Sequence, residues 1–582
     1  MQRMLRRSVL SPVRKGLITT TIPEHWQPPD PWKGNAGKGQ KLASGSHPVE
    51  LHAKGWHRFT WLRDMREYGG NQSRTLARRF VLEWIDQNQR WSAETWHPQL
   101  LAERLRTLVL TWGWFGASAT TSQQQMIVNA IQAQAIILKK DWRGLANGNA
   151  RIEALTALIL VQAFLEENSD PTSLADALIT ENFSLILSDG CHASRQPDLH
   201  VTLLSNLIEA RIGLNAINAR SSAPPKAAAG KTSPENTPAE NTLAGKPNAE
   251  KTGYRPNTSF PQLAELLAGL EDNITRMGAV GRMWRHASGT MMGILGSHEI
   301  NPDQLDDVLD RAGPKGRVSN HASDSGFIRM TSGRSVMLMN TGPAPWALPN
   351  IMAAGGRPDA GALSLEFSNG SNSIIVNAGQ QKALFDDLPD LATALAGTAA
   401  FSTLSVDRTN SSDLLATSAA GRHATIDHAE TGPATGGWLA EAKHDGYEKT
   451  HGLIHQRRVY LCTGGNDLRG EDIILYTGAP GHIPNEATIR FHLHPRINAT
   501  MAMGGHVLLR LPGTAAPWIF KAQGGEMQVE DSVIMGRNGM EKCAQITIIM
   551  PLGSIRSDYS KSVKWALRRQ AKPRATAASS PS

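Results

Sequence analysis

The segment Ala487–Pro495, ATIRFHLHP, places three side chains with binding chemistry in one short alternating run. Its apolar and polar residues alternate in the order Ile489, Arg490, Phe491, His492, Leu493 and His494. Successive side chains of a strand point to opposite faces, so we expect the apolar three in a core and the arginine and imidazoles on the other face. Two imidazoles so spaced can share a metal such as zinc or an anionic ligand. A half-buried strand with a polar outer face is the alternative.

A second group of titratable side chains adjoins a predicted strand at Leu453–Cys462. It consists of His444, Tyr447, His451 and His455. Tyr447 is the tyrosine nearest to this cluster in the sequence and a candidate proton donor. Arg457 and Arg458 point to opposite faces of the strand, so at most one of them serves a given groove.

Two other polar residues have ordinary structural explanations. His286, in WRHASG, is predicted to cap a helix C-terminus, where a cation is favoured. Glu366, between Leu365 and Phe367, is predicted to be a solvated charge on the polar face of a strand.

Composition predicts a soluble globular protein of several domains, with 582 residues of which 40% are apolar and 19% charged. The net charge of +8 is concentrated at the ends. Met1–Thr20 and Lys561–Ser582 together carry eleven basic residues and no acid, which leaves about −3 for the body. A near-neutral body with basic ends argues against a nucleic-acid-binding protein.

The three cysteines form no CxxC pair, which argues against a zinc ribbon or a disulfide scaffold. No run of 18 apolar residues predicts a membrane span. The arginine-containing N-terminus lacks the unbroken apolar segment of a secretory signal, which favours the cytoplasm.

Periodicity divides the chain into a helical and a sheet region. Residues 51–290 carry apolar residues three or four positions apart, which predicts a bundle or a ring of helical hairpins. A Gly-, Pro- and Lys-rich stretch at 1–50 predicts an extended or disordered lead-in, and the low-complexity stretch 221–258 predicts a flexible insertion.

Beyond residue 290 the period changes to two. An Asn369-Gly370 turn between alternating runs predicts a β-hairpin. Further strands are predicted at Ser335–Asn340, Leu453–Cys462, Thr488–His494, Val507–Leu511 and Ala544–Met550. We therefore predict an α+β protein, with helices first and an antiparallel β-sandwich over residues 291–560, followed by a disordered basic tail at 561–582.

Four stretches share an order with a known family. They are HRFTWLRDMREYGG at His57–Gly70, SDGCHASRQPDLH at Ser188–His200, DAGALSLEFSNGSNSIIVNAG at Asp359–Gly379 and HDGYEKTHGLIHQRRVYL at His444–Leu461. Together they resemble the heparinase II/III-like family of polysaccharide lyases, especially its alphaproteobacterial branch. The resemblance implies an (α/α) toroid followed by a β-sandwich.

The resemblance also implies a reaction, the β-elimination of acidic, uronate-containing polysaccharides. A base removes the proton next to the uronate carboxylate, positive groups neutralise that carboxylate, and an acid protonates the leaving oxygen. Family members commonly work in the cell envelope, so the compartment stays open between envelope and cytoplasm.

Several family positions are changed in the helical region of this chain. The helix start of GNH type reads Gly148, Asn149 and Ala150, so its histidine is missing. The tyrosine of a tyrosine-histidine pair is Leu199, although His200 matches.

The sandwich motif is changed as well. Arg357 and Asp359 occupy the places of two histidines, and Asn377 replaces an aspartate. His494 matches a family metal ligand.

The resemblance and the residues together leave three hypotheses for the function. The protein is a lyase with a rearranged site, or it is a catalytically impaired protein that binds acidic polysaccharide. In the third hypothesis, the matching residues are only structural. The candidate catalytic residues are His192, His200, His455 and Tyr447; the candidate substrate-binding residues are Arg357, Arg490 and Arg457; the candidate zinc ligands are His492, His494 and Asp359.

Overall fold

A computed structural model describes residues 20–570 of the chain. Outside the description within that range are residues 27, 46, 48–52, 147, 167–169, 222–260, 296–299, 315–317, 344–358, 380–387, 415–420, 479–483 and 537–538. The predicted insertion at 221–258 therefore lies almost entirely outside the described residues, and so does Arg357.

Helices occupy the first half of the described chain. They are α1 Ala36–Ala43, α2 Ala53–Arg58, α3 Trp61–Tyr68, α4 Gly70–Gln87, α5 Ala93–Trp96, α6 Pro98–Phe115, α7 Thr121–Asp141, α8 Gly148–Phe164, α9 Thr172–Phe183, α10 Pro197–Ser221, α11 Pro261–Met283 and α12 Pro302–Arg311. The central helix, α8, is buried on nearly every face and packs between α6 and α10. No helix in the described ranges combines the length and the apolar character needed to cross a membrane.

The prediction of an extended lead-in over residues 1–50 is wrong for α1. Asn35 caps this helix by accepting a hydrogen bond from the Lys38 amide, and Leu42 is buried. Trp26 is also buried, and its indole donates to the Val109 carbonyl. A capping residue and two apolar anchors therefore hold this segment against the helices.

Two antiparallel sheets follow the helices. The strands are β1 His321–Ala322, β2 Phe327–Ser332, β3 Ser335–Asn340, β4 Leu365–Asn369, β5 Asn372–Val376, β6 Leu404–Val406, β7 Ile426–Ala434, β8 Gly437–Tyr447, β9 Leu453–Cys462, β10 Asp467–Tyr476, β11 Glu486–Leu493, β12 Asn498–Ala502, β13 His506–Arg510, β14 Trp518–Gln523, β15 Glu526–Gly536, β16 Gly539–Pro551 and β17 Ser560–Arg569. The large sheet has the order β1-β2-β3-β4-β5-β11-β16-β15 with β6 beside β11, and the small sheet has the order β12-β13-β14-β17-β10-β9-β8-β7. Short helices α13 Pro389–Ala396, α14 Glu448–His451 and α15 Ile555–Asp558 lie among the strands.

Aromatic pairs join the inner faces of the two sheets. Phe367 of the large sheet lies 5.6 Å from Trp518 of the small sheet, between ring centroids. Phe491 lies 4.8 Å from Trp565 in the same way. The predicted fold class, helices followed by an antiparallel sandwich, is confirmed.

Strand β17 corrects the prediction of a disordered tail at 561–582. Val563, Trp565 and Leu567 alternate into the sandwich core and are at most 2% exposed. The strand pairs with both β10 and β14, in the middle of the small sheet. Basic residues on its outer face mask this alternation in the sequence.

Strand β11 confirms the predicted alternation on one face and extends it on the other. Ile489, Phe491 and Leu493 are fully buried between the sheets. His492, on the opposite face, is also buried, at 3% exposure. Its ring contacts Ala399, in the segment that follows α13, so the second face of the large sheet is covered as well.

The loop that precedes α10 joins the helices to the large sheet. Asp189 accepts hydrogen bonds from the amide and the hydroxyl of Ser325. The fully buried guanidinium of Arg195 donates to the carbonyls of Ser325 and Pro343 and to the Asn340 side chain. The loop motif at Ser188–His200 therefore acts as a structural clamp between the two regions.

Replacing Arg195 should weaken this clamp. In Arg195→Met the guanidinium that lies over the Phe327 ring is removed, and three acceptors lose this donor. Since an unsatisfied buried polar group costs roughly 1–3 kcal/mol, we expect the free energy of unfolding to fall by about 3 kcal/mol or more. Urea unfolding followed by tryptophan fluorescence measures this change. Arg90→Met, at an exposed position, is the matched control, and equal midpoints for the two variants would contradict the clamp.

Candidate functional site

A cavity of about 330 Å³ opens where the segment after α11 meets the large sheet. Its polar lining includes His286, Glu366, Asn377, His494, Arg496 and Glu541. Met291 and Met292 belong to its apolar wall. This volume is in the range of small-ligand pockets, and a few convergent polar groups on an apolar wall are typical of them.

The floor of this junction cavity is a hydrogen-bonded network around Glu366. One carboxylate oxygen lies 2.8 Å from His286 Nε2, and the other accepts from the Gly293 amide and the Asn377 side chain, each at 3.0 Å. Glu366 is only 3% exposed, so its predicted role as a solvated surface charge is wrong. The segment that follows α11 lies over this face of the large sheet and buries the Glu366 side chain.

His286 links this floor to the helical region. Its Nδ1 lies 2.9 Å from the Ser368 hydroxyl, so both ring nitrogens have partners in the large sheet. The residue lies three positions after the end of α11, close to the predicted cap position, but its side-chain contacts are with strand β4.

The rim of the cavity is more accessible than its floor. Arg496 and Glu541 are exposed, and His494 is half-buried. His494 Nδ1 accepts a hydrogen bond from the Arg496 amide at 3.2 Å. Arg496 therefore places a positive charge at the mouth, where it can meet an anionic ligand.

His192 and His200 lie inside the helical region and line none of the cavities described here. His192 Nδ1 accepts from the Ser194 amide, and Nε2 lies 3.0 Å from the Asn149 side-chain oxygen. His200 Nδ1 accepts from the His192 amide, and Nε2 lies 2.9 Å from the Met277 carbonyl. Burial lowers the pKa of His192 to about 3 and that of His200 to about 4, so both are neutral structural groups.

His455 and Arg457 lie in the sandwich core. His444 Nε2 is 3.2 Å from His455 Nδ1, and His455 Nε2 is 2.8 Å from Asp472. Arg457 donates to the same carboxylate at 2.7 Å, and Trp565 donates to its second oxygen at 2.9 Å. The His455 and Arg457 side chains are buried between the sheets and line none of the cavities described here, and a catalytic role for His455 and a substrate contact for Arg457 stay predictions.

Tyr447 and Arg490 also have structural partners. The Tyr447 hydroxyl donates to the Leu404 carbonyl at 2.8 Å, and burial raises its pKa well above the usual range. The phenol is fully buried and lines none of the cavities described here, and its role as the acid stays a prediction. Arg490 donates to Ser405 and lines a different cavity, of about 540 Å³, beside α13.

The three predicted zinc ligands lie apart. His494 lines the junction cavity, whereas His492 lines the cavity beside α13, with its ring nitrogens at Ser532 and Ala399. Asp359 lies near Arg195 and accepts from the Leu295 and Gly361 amides. In the part of the chain that the structure describes, no three His, Cys, Asp or Glu side chains form a group that could hold a metal. A zinc site of these three residues does not fit this arrangement, and zinc binding itself stays a prediction.

Comparisons with known proteins agree with this architecture. A family model for the heparinase II/III-like C-terminal domain matches residues 314–566. The predicted resemblance to the heparinase II/III-like family is confirmed over these residues. A mutant of heparan sulfate lyase HepC from Pedobacter heparinus has the same fold, with a TM-score of 0.60 at 14% identity, over 97% of this chain and 88% of that one.

Two further relatives extend the comparison. A structure of heparinase III aligns with a TM-score of 0.60 at 13% identity, over 88% of this chain and 76% of that one. FtsZ-localized protein C from Caulobacter vibrioides is 24% identical over 580 residues, which cover 93% of this chain and 90% of that protein. The chain thus has the fold of polysaccharide lyases and resembles a protein named for its localisation along nearly its whole length.

The junction cavity includes residues that the sequence patterns did not assign to a site. Arg496 and Glu541 carry no motif, and they meet only because β11 and β16 are neighbours in the large sheet. The useful sequence signal was the position of His286 at the change from helical to strand periodicity. That boundary is where two regions must face each other.

Acid should destabilise the protein through its buried imidazoles. Burial lowers the pKa values of His192, His200, His444, His455 and His492 below the ordinary 6.5. Below pH 6.5 the unfolded state therefore binds more protons than the folded state, and stability falls by about 1.4 kcal/mol per pH unit for each such group. Burial raises the pKa of Asp359 to about 6, so below that pH the folded state binds one proton more at this carboxyl than the unfolded state does. This proton reduces the loss of stability by the contribution of one group.

Urea midpoints between pH 7.5 and 5 test this expectation. We expect the urea midpoint to fall steeply below pH 6.5. In His492→Gln the midpoint should fall less steeply, because one buried imidazole fewer takes up a proton on unfolding. The Gln amide can keep the contacts with Ser532 and Ala399. A midpoint independent of pH in this window would show that the buried imidazoles are protonated without cost.

Proposed function

We propose that this chain is a catalytically impaired member of the lyase fold that binds acidic polysaccharide at the junction cavity without cutting it. The observation that carries the proposal is the burial of every described candidate acid or base. His192, His200, His455 and Tyr447 are all 0% exposed. β-Elimination needs a base and an acid within hydrogen-bond reach of the sugar, and these groups face the protein interior.

The junction cavity supports binding better than chemistry. Its most enclosed groups, Glu366 and His286, are held by hydrogen bonds to the protein. Arg496 at the mouth offers a charge to a uronate carboxylate, and the cavity is large enough for part of a sugar chain. Because the polar groups on the floor of the cavity are hydrogen-bonded to one another, their positions are fixed, which suits binding of a ligand.

Acidic glycans should raise the melting temperature of the purified protein and remain intact. Heparin and alginate are suitable probes, with absorbance of the unsaturated uronide recorded in parallel and a heparan sulfate lyase as the positive control. In Arg496→Ala we expect most of the shift to disappear, since the charge at the mouth is lost, whereas Arg556→Ala, at an exposed site elsewhere, keeps it. A rise in absorbance would replace the binding proposal with the lyase prediction. An unchanged melting temperature with every glycan would remove both.

The FtsZ-localized relative favours a second candidate function. Its similarity extends over 93% of this chain, through both the helices and the sandwich. We propose on this ground that the chain can also act as a localised assembly protein associated with FtsZ, with the lyase fold serving as a scaffold. The buried positions of the family-motif residues are consistent with a scaffold, because they link elements of the structure.

A fluorescent fusion of the full chain, expressed in Caulobacter vibrioides, tests this second function. We expect its signal to coincide with that of labelled FtsZ, and purified chain to form a complex with purified FtsZ on size exclusion. A diffuse signal together with separate elution of the two proteins would refute the association.

A further inference from the structure

The outer face of the small sheet carries a row of basic side chains on four neighbouring strands. They are Arg458 on β9, Arg469 on β10, Lys564 and Arg568 on β17, and Lys521 on β14. We call these five residues the basic platform. With strands about 4.8 Å apart, the platform extends roughly 14 Å across the sheet.

Strand register places the platform residues in rows. Lys521 pairs with Ala566, which pairs with Arg469, which pairs with Tyr460. In the adjacent row Lys564 pairs with Glu471, which pairs with Arg458. Residues paired across strands share a face, so the basic side chains and the Tyr460 ring lie on the same surface.

The acidic side chains of this face are less exposed to solvent than its basic side chains. The side chains of Arg458, Arg469, Lys564 and Arg568 are 45%, 53%, 69% and 61% exposed. Their partners Asp467, Glu441 and Glu471 are only 11%, 18% and 24% exposed. Because exposed ion pairs are weak, the projecting basic groups stay available to a ligand, and the surface that meets solvent is positive.

A depression of about 570 Å³ runs between these basic groups. The small side chain of Ala566 leaves room between Lys521 and Arg469 in their shared row. The Tyr460 hydroxyl donates to the Thr435 carbonyl at 3.1 Å, which fixes the ring, and Leu439 adds apolar surface next to it. A fixed, half-exposed aromatic ring beside basic groups suits a sugar ring that carries an acidic group.

We infer that the basic platform binds an extended anionic polysaccharide, at a site separate from the junction cavity. The row over Lys521, Arg469 and Tyr460 combines charge with one stacking surface. The platform lies over strands that are hydrogen-bonded on both sides, so a peptide cannot add to them as a further strand. Nucleic acid is disfavoured because a single ring offers no succession of base-stacking platforms.

Heparin titrated into the full-length protein at physiological salt tests the inference. In the double variant Lys521→Glu, Lys564→Glu we expect affinity to fall about tenfold or more, since two attractive contacts become repulsive. The matched control is Lys139→Glu, Lys140→Glu, which makes the same charge change at exposed positions of α7. We expect this control to retain most of the affinity.

The variants separate this inference from the proposed function. Loss of heparin affinity in the platform variant, with Arg496→Ala unchanged, supports the platform even where the junction cavity binds nothing. Loss in Arg496→Ala alone places binding at the cavity and overturns the platform. Equal losses of heparin affinity in the platform and α7 variants would show that binding depends only on net charge. Equal affinity for polyglutamate and heparin would show that the platform binds acidic polypeptides as well as it binds a polysaccharide. Either outcome overturns the inference.

Discussion

The contact between the Arg195 guanidinium and the first strands of the large sheet sets how the helices and the sandwich are arranged. The guanidinium donates to the carbonyls of Ser325 and Pro343 and to the Asn340 side chain, at the ends of β2 and β3. Asp189, in the same loop as Arg195, accepts a hydrogen bond from the Ser325 amide. A buried charge persists only when its donors are satisfied, so the approach of the two regions is tightly specified. Gly342 fits this geometry, since a Cβ there would lie 2.4 Å from Arg195 Nη2.

The polar residues that resemble a lyase site serve as internal connections in this chain. His192 joins the loop before α10 to Asn149 of α8, and His455 with Asp472 joins neighbouring strands of the small sheet. Buried polar groups that are fully satisfied make a core specific, whereas a single missing partner is costly. Burial among these partners also lowers the pKa of both imidazoles, so the contacts that join the elements disfavour protonation of the two rings.

Charge is distributed differently on the two accessible surfaces. At the junction cavity, Glu366 is hydrogen-bonded within its network, and Arg496 and Glu541 lie at the mouth. On the outer face of the small sheet, the acids lie below the basic groups with which they pair. An acidic polymer that met either surface would thus encounter exposed positive groups.

Local patterns determined the elements of this protein: the helical stripes, the Asn369-Gly370 hairpin, and the alternation that puts Ile489, Phe491 and Leu493 in the core. Alternation distinguishes the two faces of a strand, but it does not say what covers the second face. Tertiary structure decided that, burying Glu366 and His492 beneath the helix-to-sheet segment and the chain after α13. It also brought Arg496 and Glu541 to one cavity, since residues far apart in sequence meet only when strands pair.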